Sequence, residues 1–439
     1  MSNKRKVTTR KALRHSISTT RETYQLNVPE DISSSLRSNE PMLTPVSSQS
    51  PTTSLPSAIT PEATGVTEIM ETYVDRIAPN VVGITCWFDP GPEPVTRSVT
   101  LRFTGRRLGK GPPFRSGDHF IHDQTIHGIV GGSGPIAVTT KIRDINAGQW
   151  SVDATMIAMH TPNANSISSE NTVVGRGTTL PVYLARWSWL RWRVTQATDS
   201  GIVSTRIAPL VPTPAVILGS WAACVFLGIL LALLTQSWVI STQGLQLSHV
   251  LTVSILSVLG GAIGAKVWFI IIHRNDGRRE GWGIQGMVTG ITLVALPLLT
   301  AWNMPVGTFL DTTTPGLMFG LATGRIGCFF TGCCAGKPTR SRWAIWSSNR
   351  SIGARRVPTQ LMESFLAFMI GIIALATVLL SSPHHGTLFV AAVAAYTLIR
   401  QALLLLREER RQSRLGVPII AAAAGFVLIA DVVGSLIVR

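Results

Sequence analysis

Five ionisable residues interrupt long apolar stretches in the C-terminal half of the chain: Lys266, Arg325, Glu363, Arg400 and Asp431. A charge at mid-bilayer costs at least about 2.5 kcal/mol even on permissive scales. Such residues persist where they pair with one another, face a polar interior or bind a charged ligand, and three cations with two carboxylates permit internal pairing. Cysteine is the second reactive type. Of five in the chain, Cys328, Cys333 and Cys334 gather near the end of one apolar stretch, close to Arg325. A thiol beside a guanidinium is a candidate nucleophile. The same thiols also fit small polarizable packing residues, or sites of oxidation or lipidation. Cys333 and Cys334 are adjacent and cannot easily bridge each other without strain. Cys328 and one of them share a face if the helix continues through them. Three cysteines without a nearby His make a poor metal site. Glycines crowd the same places, as Gly260, Gly261 and Gly264 before Lys266, and as Gly320, Gly324, Gly327, Gly332 and Gly336 around Arg325. They allow either close helix contact or close approach of a ligand to the backbone.

The elements that must position these residues are apolar runs of membrane length. Residues 215–234 contain no charge and are long enough to cross a hydrocarbon core of about 30 Å. Similar runs follow at about 250–272, 284–302, 313–335, 361–381, 386–406 and 417–438. Seven such runs predict a helical, multi-pass domain over 213–439, located in the cell membrane.

The rest of the 439-residue chain reads differently. Residues 1–64 are rich in Ser, Thr and Pro and have Tyr24 as their one aromatic, which predicts a disordered, mildly basic tail. No apolar run follows its basic cluster, so no secretory signal is expected. Residues 65–185 alternate short β-branched runs with turn signals, as in Val81–Thr85, Val99–Phe103, Ile136–Thr140 and Trp150–Ala154. The pattern predicts a small all-β sandwich, with a weak likeness to immunoglobulin-like domains. Asn146–Val152 is expected to turn into an edge hairpin. His119, His122 and His127 alternate across one predicted strand with no Cys or carboxylate pair beside them, which argues against a metal site. Residues 186–212 are expected to be a juxtamembrane linker. The net charge of +16 is spread over tail, loops and helix ends. No basic face with interleaved aromatics appears, so nucleic acid is not an expected partner.

Five segments, taken together, resemble the prolipoprotein diacylglyceryl transferase family. Gly324-Arg325-Ile326-Gly327-Cys328-Phe329-Phe330-Thr331-Gly332-Cys333 resembles the G-R-x-G-N-F-x-N-G-E signature. Arg356-Val357-Pro358-Thr359-Gln360-Leu361-Met362-Glu363 resembles its H-P-[ST]-Q-L-Y-E run. Gly261–Lys266 is similar to its G-A-R-L-x-Y segment, Gly283–Met287 falls where it carries S-x-H-G-G, and Arg400 matches an Arg of its penultimate helix. The resemblance covers about residues 213–439. It implies a transferase that moves a diacylglyceryl group from phosphatidylglycerol, or a similar anionic phospholipid, to the thiol of a prolipoprotein or other acceptor. It implies catalytic roles for Gln285, Arg325, Glu363, Arg400, Cys328 and Cys333, and substrate binding by Lys266, Gly324, Gly327 and Gln360. Intramembrane arginines would fork onto the phosphate of the leaving group. No cofactor is expected.

The departures are specific. Gln285 stands at the family's His and cannot act as a general base near neutral pH. Cys328 replaces an Asn, and Cys333 a Glu. The second reading of the sequence is therefore a non-catalytic phospholipid-binding scaffold whose β-domain recruits a protein partner. Lys and Arg populate alternate loops only, at 185–206, 273–283, 336–358 and 407–415. The positive-inside rule then predicts a cytoplasmic N-terminal half, whereas the family resemblance implies the opposite orientation.

Overall fold

The structure is a computed structural model. It describes residues 79–93, 95–109, 117–160, 172–173, 178–180, 186–188, 192–195, 201–243, 246–274, 281–381, 385–408 and 416–437. The expected tail at 1–64 lies outside the described residues.

Strand β1 is Val82–Phe88, β2 is Thr96–Arg107, β3 is His119–Val130, β4 is Ile136–Ile142 and β5 is Gln149–His160. Short strands follow: β6 (Thr172–Val173), β7 (Thr178–Leu180), β8 (Arg186–Ser188), β9 (Arg193–Thr195) and β10 (Ile202–Ser204). The period-two pattern does what it predicts: Val99, Leu101 and Phe103 of β2 are fully buried while Arg102 points outward and pairs with Asp123 of β3. One sheet runs β10-β5-β2-β3, with β6 and β7 also pairing β5. β5 is thus an interior strand, between β10 and β2. The edge hairpin expected after Asn146 does not form, because residues 202–204 add a further strand outside it.

The second sheet holds a surprise. Its order is β1-β4-β12-β11, where β11 (Ile345–Ser348) and β12 (Ile352–Arg356) come from the loop between the fourth and fifth helices. Ile352 and Gly353 of β12 register with Val138 and Ala137 of β4. The two sheets share one core, built from Ile84 and Cys86 of β1, Leu101 and Phe103 of β2, Val138 of β4, Trp150 of β5 and Ala354 of β12. The β-region expected at 65–185 and the membrane region expected at 213–439 therefore share a sheet. The stretch expected as a linker at 186–212 contributes β8, β9 and β10.

Among the described residues seven α-helices follow: α1 (Ser220–Gln243), α2 (Leu247–Ile272), α3 (Ile284–Ala301), α4 (Val306–Thr331), α5 (Thr359–Ser381), α6 (Thr387–Leu404) and α7 (Gly416–Ile437). Among the described residues α1, α2, α3, α5 and α6 are long and apolar enough to cross a bilayer. α4 has the length, but Asp311, three consecutive threonines and Arg325 lower its apolarity. It packs against α1, α5 and α6, with Asp311, Thr312 and Thr314 fully or almost fully buried. Four helices separate β10 from the β11–β12 hairpin. If all four cross, the chain returns to the side of the sandwich, as the shared sheet requires.

Most of the conspicuous glycines pack helices. A Cβ at Gly264 would collide with the backbone of Gly286, and one at Gly290 with Gly260, so α2 and α3 cross at near backbone contact. Gly332 has φ +71° and ends α4 in a left-handed cap. The helix therefore stops before Cys333, and Cys328 and Cys333 do not share a continuous helical face.

Candidate functional site

Glu363 lies in the second turn of α5, and its side chain is fully buried. A carboxylate removed from water in a membrane domain is tolerated only with close partners, and this one has four. Arg400 of α6 donates from Nη1 to Oε1 at 3.0 Å. Arg325 of α4 places Nε 3.0 Å from the same oxygen. Arg407, just beyond the end of α6, donates from Nη2 to Oε2. The Tyr396 hydroxyl donates to Oε1 at 2.7 Å and accepts from Arg325 Nε and Nη2 at 3.2 and 3.1 Å. Tyr396 and Arg400 are four residues apart and so lie on one face of α6.

Three guanidinium groups on one carboxylate leave a positive surplus in a low-dielectric interior, which favours an anion. Exposure separates their roles. Arg407 is 1% exposed and closed in on Glu363. The Arg325 and Arg400 side chains are 16% and 33% exposed, so neither is closed in as Arg407 is. Gly324, the neighbour of Arg325 on α4, faces open space: a Cβ there would meet nothing within 4 Å. Gly327 packs closely instead. A Cβ there would press on Cys224 and Trp221 of α1, which makes it a packing glycine.

The turn after α4 is held by α5. Gln360 is buried and donates from Nε2 to the Cys333 carbonyl at 2.9 Å, and Thr359 donates to the Cys334 carbonyl at 3.4 Å. Cys328 is buried, Cys333 and Cys334 are half-buried, and all three are free thiols. The Cys333 thiol donates to the Cys328 carbonyl at 3.6 Å. Among the described residues no group of His, Cys, Asp or Glu has a metal-holding arrangement. His127 instead hydrogen-bonds Ser98 across β2 and β3 at 2.9 Å.

The other predicted site residues stand on a separate helical hairpin, Lys266 on α2 and Gln285 on α3. Gln285 is exposed. The bonds that assemble the cluster come from α4, α5, α6 and the segment behind α6.

That segment is clamped in turn. Lys337 and Glu408 donate their amides to the carbonyls of Leu406 and Ala335, at 2.8 and 3.0 Å. The Glu408 carboxylate accepts from Arg356 Nη1 at 2.6 Å and from Asn349 Nδ2 at 2.9 Å. Arg356 is completely buried at the end of β12 and also reaches the carbonyls of Gly336 and Ile352. Burial holds its guanidinium below the ordinary arginine range, and Glu408 opposes that shift.

A sequence model of the prolipoprotein diacylglyceryl transferase family matches residues 210–437. The chain belongs to this family. It is similar to the phosphatidylglycerol–prolipoprotein diacylglyceryl transferase of Clostridium tetani, 26% identical over 162 residues, covering 34% of this chain and 65% of that protein. A second transferase of that name from Clostridium perfringens is 31% identical over 170 residues, covering 35% of this chain and 65% of the relative. The Frankia alni protein is 24% identical over 253 residues, covering 54% of this chain and 66% of its own length. The chain thus spans just under two thirds of these relatives. The family match places the chain in a family of multi-pass cell-membrane proteins, and it leaves β1 to β10 outside the matched residues.

Tyr396 and Arg407 are the cluster members that reading for charged residues within spans misses. Tyr396 carries no charge, although it is the one tyrosine of the membrane half. Arg407 sits just past the apolar run and reads as a loop charge. Tyr396 stands four residues before Arg400 on the same helix face, which was the available signal for it.

Proposed function

We propose that the membrane half transfers a diacylglyceryl group from phosphatidylglycerol, or a similar anionic phospholipid, to the thiol of an acceptor such as a prolipoprotein cysteine. The acceptor sulfur attacks the glyceryl carbon that bears the phosphate ester. A carbon–sulfur bond forms, the carbon–oxygen bond breaks, and glycerol phosphate leaves with the electron pair while the thiol gives up its proton. The observation that carries this reading is the surplus of guanidinium over carboxylate at Glu363, with Arg325 and Arg400 not closed in. In this reading their planar forks hold the phosphate oxygens and stabilise the charge that grows on the leaving group. The open space at Gly324 lets the headgroup approach α4. The same positive surplus favours the acceptor's thiolate. In this reading Cys328 and Cys333 are candidate proton-handling or nucleophilic groups, Lys266 of α2 is a candidate substrate-binding cation, and Gln285 of α3 stands at the family's His position.

Gln285 supports a second reading. A residue with no titratable group stands where the family has a His, and this favours a phospholipid-binding scaffold without turnover. The decisive experiment incubates the purified full-length protein with headgroup-labelled phosphatidylglycerol, with and without a peptide carrying a lipobox cysteine. Peptide-dependent release of glycerol phosphate is the expected result. Saturable lipid binding with no release in either arm would establish the scaffold instead.

A further inference from the structure

We infer that Arg356 is a positioning residue through which the sandwich of the N-terminal half holds the cationic cluster in register. The inference rests on the reading of the Glu363 cluster as the lipid site. The path is short and every link is a direct contact. β12 is a strand of the sandwich sheet, registered on Val138 and Ala137 of β4. Its last residue is Arg356, and the chain then enters α5, which carries Glu363 seven residues on. The backbone placed by the sheet is therefore the backbone that sets the height of Glu363.

Arg356 adds a side-chain link to the opposite partner. Its buried guanidinium grips the carboxylate of Glu408, whose neighbour Arg407 is the closed-in guanidinium on Glu363. Residues 335–337 and 406–408 are stitched by backbone bonds into the same small unit. One strand thus fixes both halves of the Arg407–Glu363 pair, Glu363 through the chain and Arg407 through Glu408. Two further contacts dock the sandwich at this end of the bundle. Trp346 of β11 stacks on Trp87 of β1 at 5.5 Å and donates to the Pro135 carbonyl at 3.1 Å. Trp192, in the turn before β9, stacks on Phe329 at the end of α4 at 5.7 Å and donates to the Trp346 carbonyl at 3.0 Å. β1, β4 and Trp192 lie outside the family match at 210–437, so this frame is a feature of the chain rather than of its matched part.

The test uses the full-length protein in lipid nanodiscs and three variants: Arg356→Gln, Glu408→Gln, and both together. The first readout is amide hydrogen exchange. Arg356→Gln should speed exchange at Lys337 and Glu408 by about tenfold or more, with little change in α2 and α3, because local opening there loses its buried anchor. The second readout is phosphatidylglycerol turnover. Arg356→Gln should lower kcat by about tenfold with KM changed by less than about threefold, the pattern of misplaced machinery rather than lost lipid contact. Arg356→Gln leaves the Glu408 carboxylate free to compete for Arg407, so removing that charge as well should restore protection and most of the turnover. Unchanged exchange in Arg356→Gln, or a neutral double variant no better than the single, would overturn the inference. Absence of turnover in the unmodified protein would overturn the transferase reading alone, and the exchange pattern would still decide the positioning role.

Discussion

Among the described residues of the membrane half, two carboxylates are completely buried, one near each end of α6, and they are satisfied in opposite ways. Asp311 of α4 accepts from the backbone amides of Gly386 and Phe389, at 2.9 and 3.0 Å, and so caps the start of α6. Glu363 of α5 takes three guanidinium groups and a phenol near the other end. A carboxylate answered by amide dipoles at a helix N-terminus is structurally complete. A carboxylate answered by three arginines leaves cation in excess, and that excess has meaning only if an anion arrives. The comparison teaches that burial alone does not mark a site within a membrane; the charge balance of the partners does.

The largest break in the comparison comes from Glu363→Gln. It leaves three guanidinium groups, the fully buried Arg407 among them, against a neutral amide, which should destabilise the fold by about 3–5 kcal/mol, the usual consequence of stranding one side of a buried pair. A thermal melt in detergent should show the loss, and lipid turnover should vanish with it. Next is Arg325→Lys, which keeps the charge and loses the planar fork. Phosphatidylglycerol binding to nanodiscs should weaken by about tenfold, and binding equal to the unmodified protein would remove Arg325 from the headgroup site. Gln285→His tests whether the missing imidazole limits the rate. Peptide-dependent glycerol phosphate release should rise by about tenfold or more if a base is what the chain lacks. Asp311→Asn should be mild, about 1 kcal/mol in the melt, since an amide oxygen can still cap α6, and turnover should hold. A collapse of turnover in this variant would erase the distinction between the two carboxylates.

The smallest effect lies in the sandwich. Burial pushes the Cys86 thiol up to about 12. Its folded value is above its unfolded value, so its contribution to stability is complete below about pH 9 and is lost as pH rises through 12. Alkylation near pH 8 should therefore spare Cys86 while the half-buried Cys333 and Cys334 react. Melts should weaken only on the alkaline side.

Arg325, Glu363 and Arg400 were legible because a charge inside an apolar run is expensive and therefore informative. The β-strands at 82–88, 96–107, 136–142 and 149–160 were legible from their period of two. What escaped depends on contacts between distant parts of the chain. β12 is a five-residue strand in a membrane loop, and nothing local indicates that its partner is β4. Two members of the network escaped for a related reason: Arg356 and Arg407 were counted among the loop charges, yet both are buried, on Glu408 and Glu363. The turn at Gly332 escaped because the apolar pattern runs through it, although a Gly at that place is a common helix end.

The shared sheet also sets a schedule for synthesis. β4 ends at Ile142, but its neighbour β12 is not made until residue 356, after four helices have entered the membrane. At about 5–20 residues per second that interval lasts roughly 10–40 s. Throughout it, one edge of β4 presents unpaired backbone groups beside a mostly apolar strand, the arrangement that recruits the wrong partner. The ribosome-bound chain must therefore wait with an open edge on the side of the membrane where the hairpin will emerge. Only the arrival of residues 352–353 closes it.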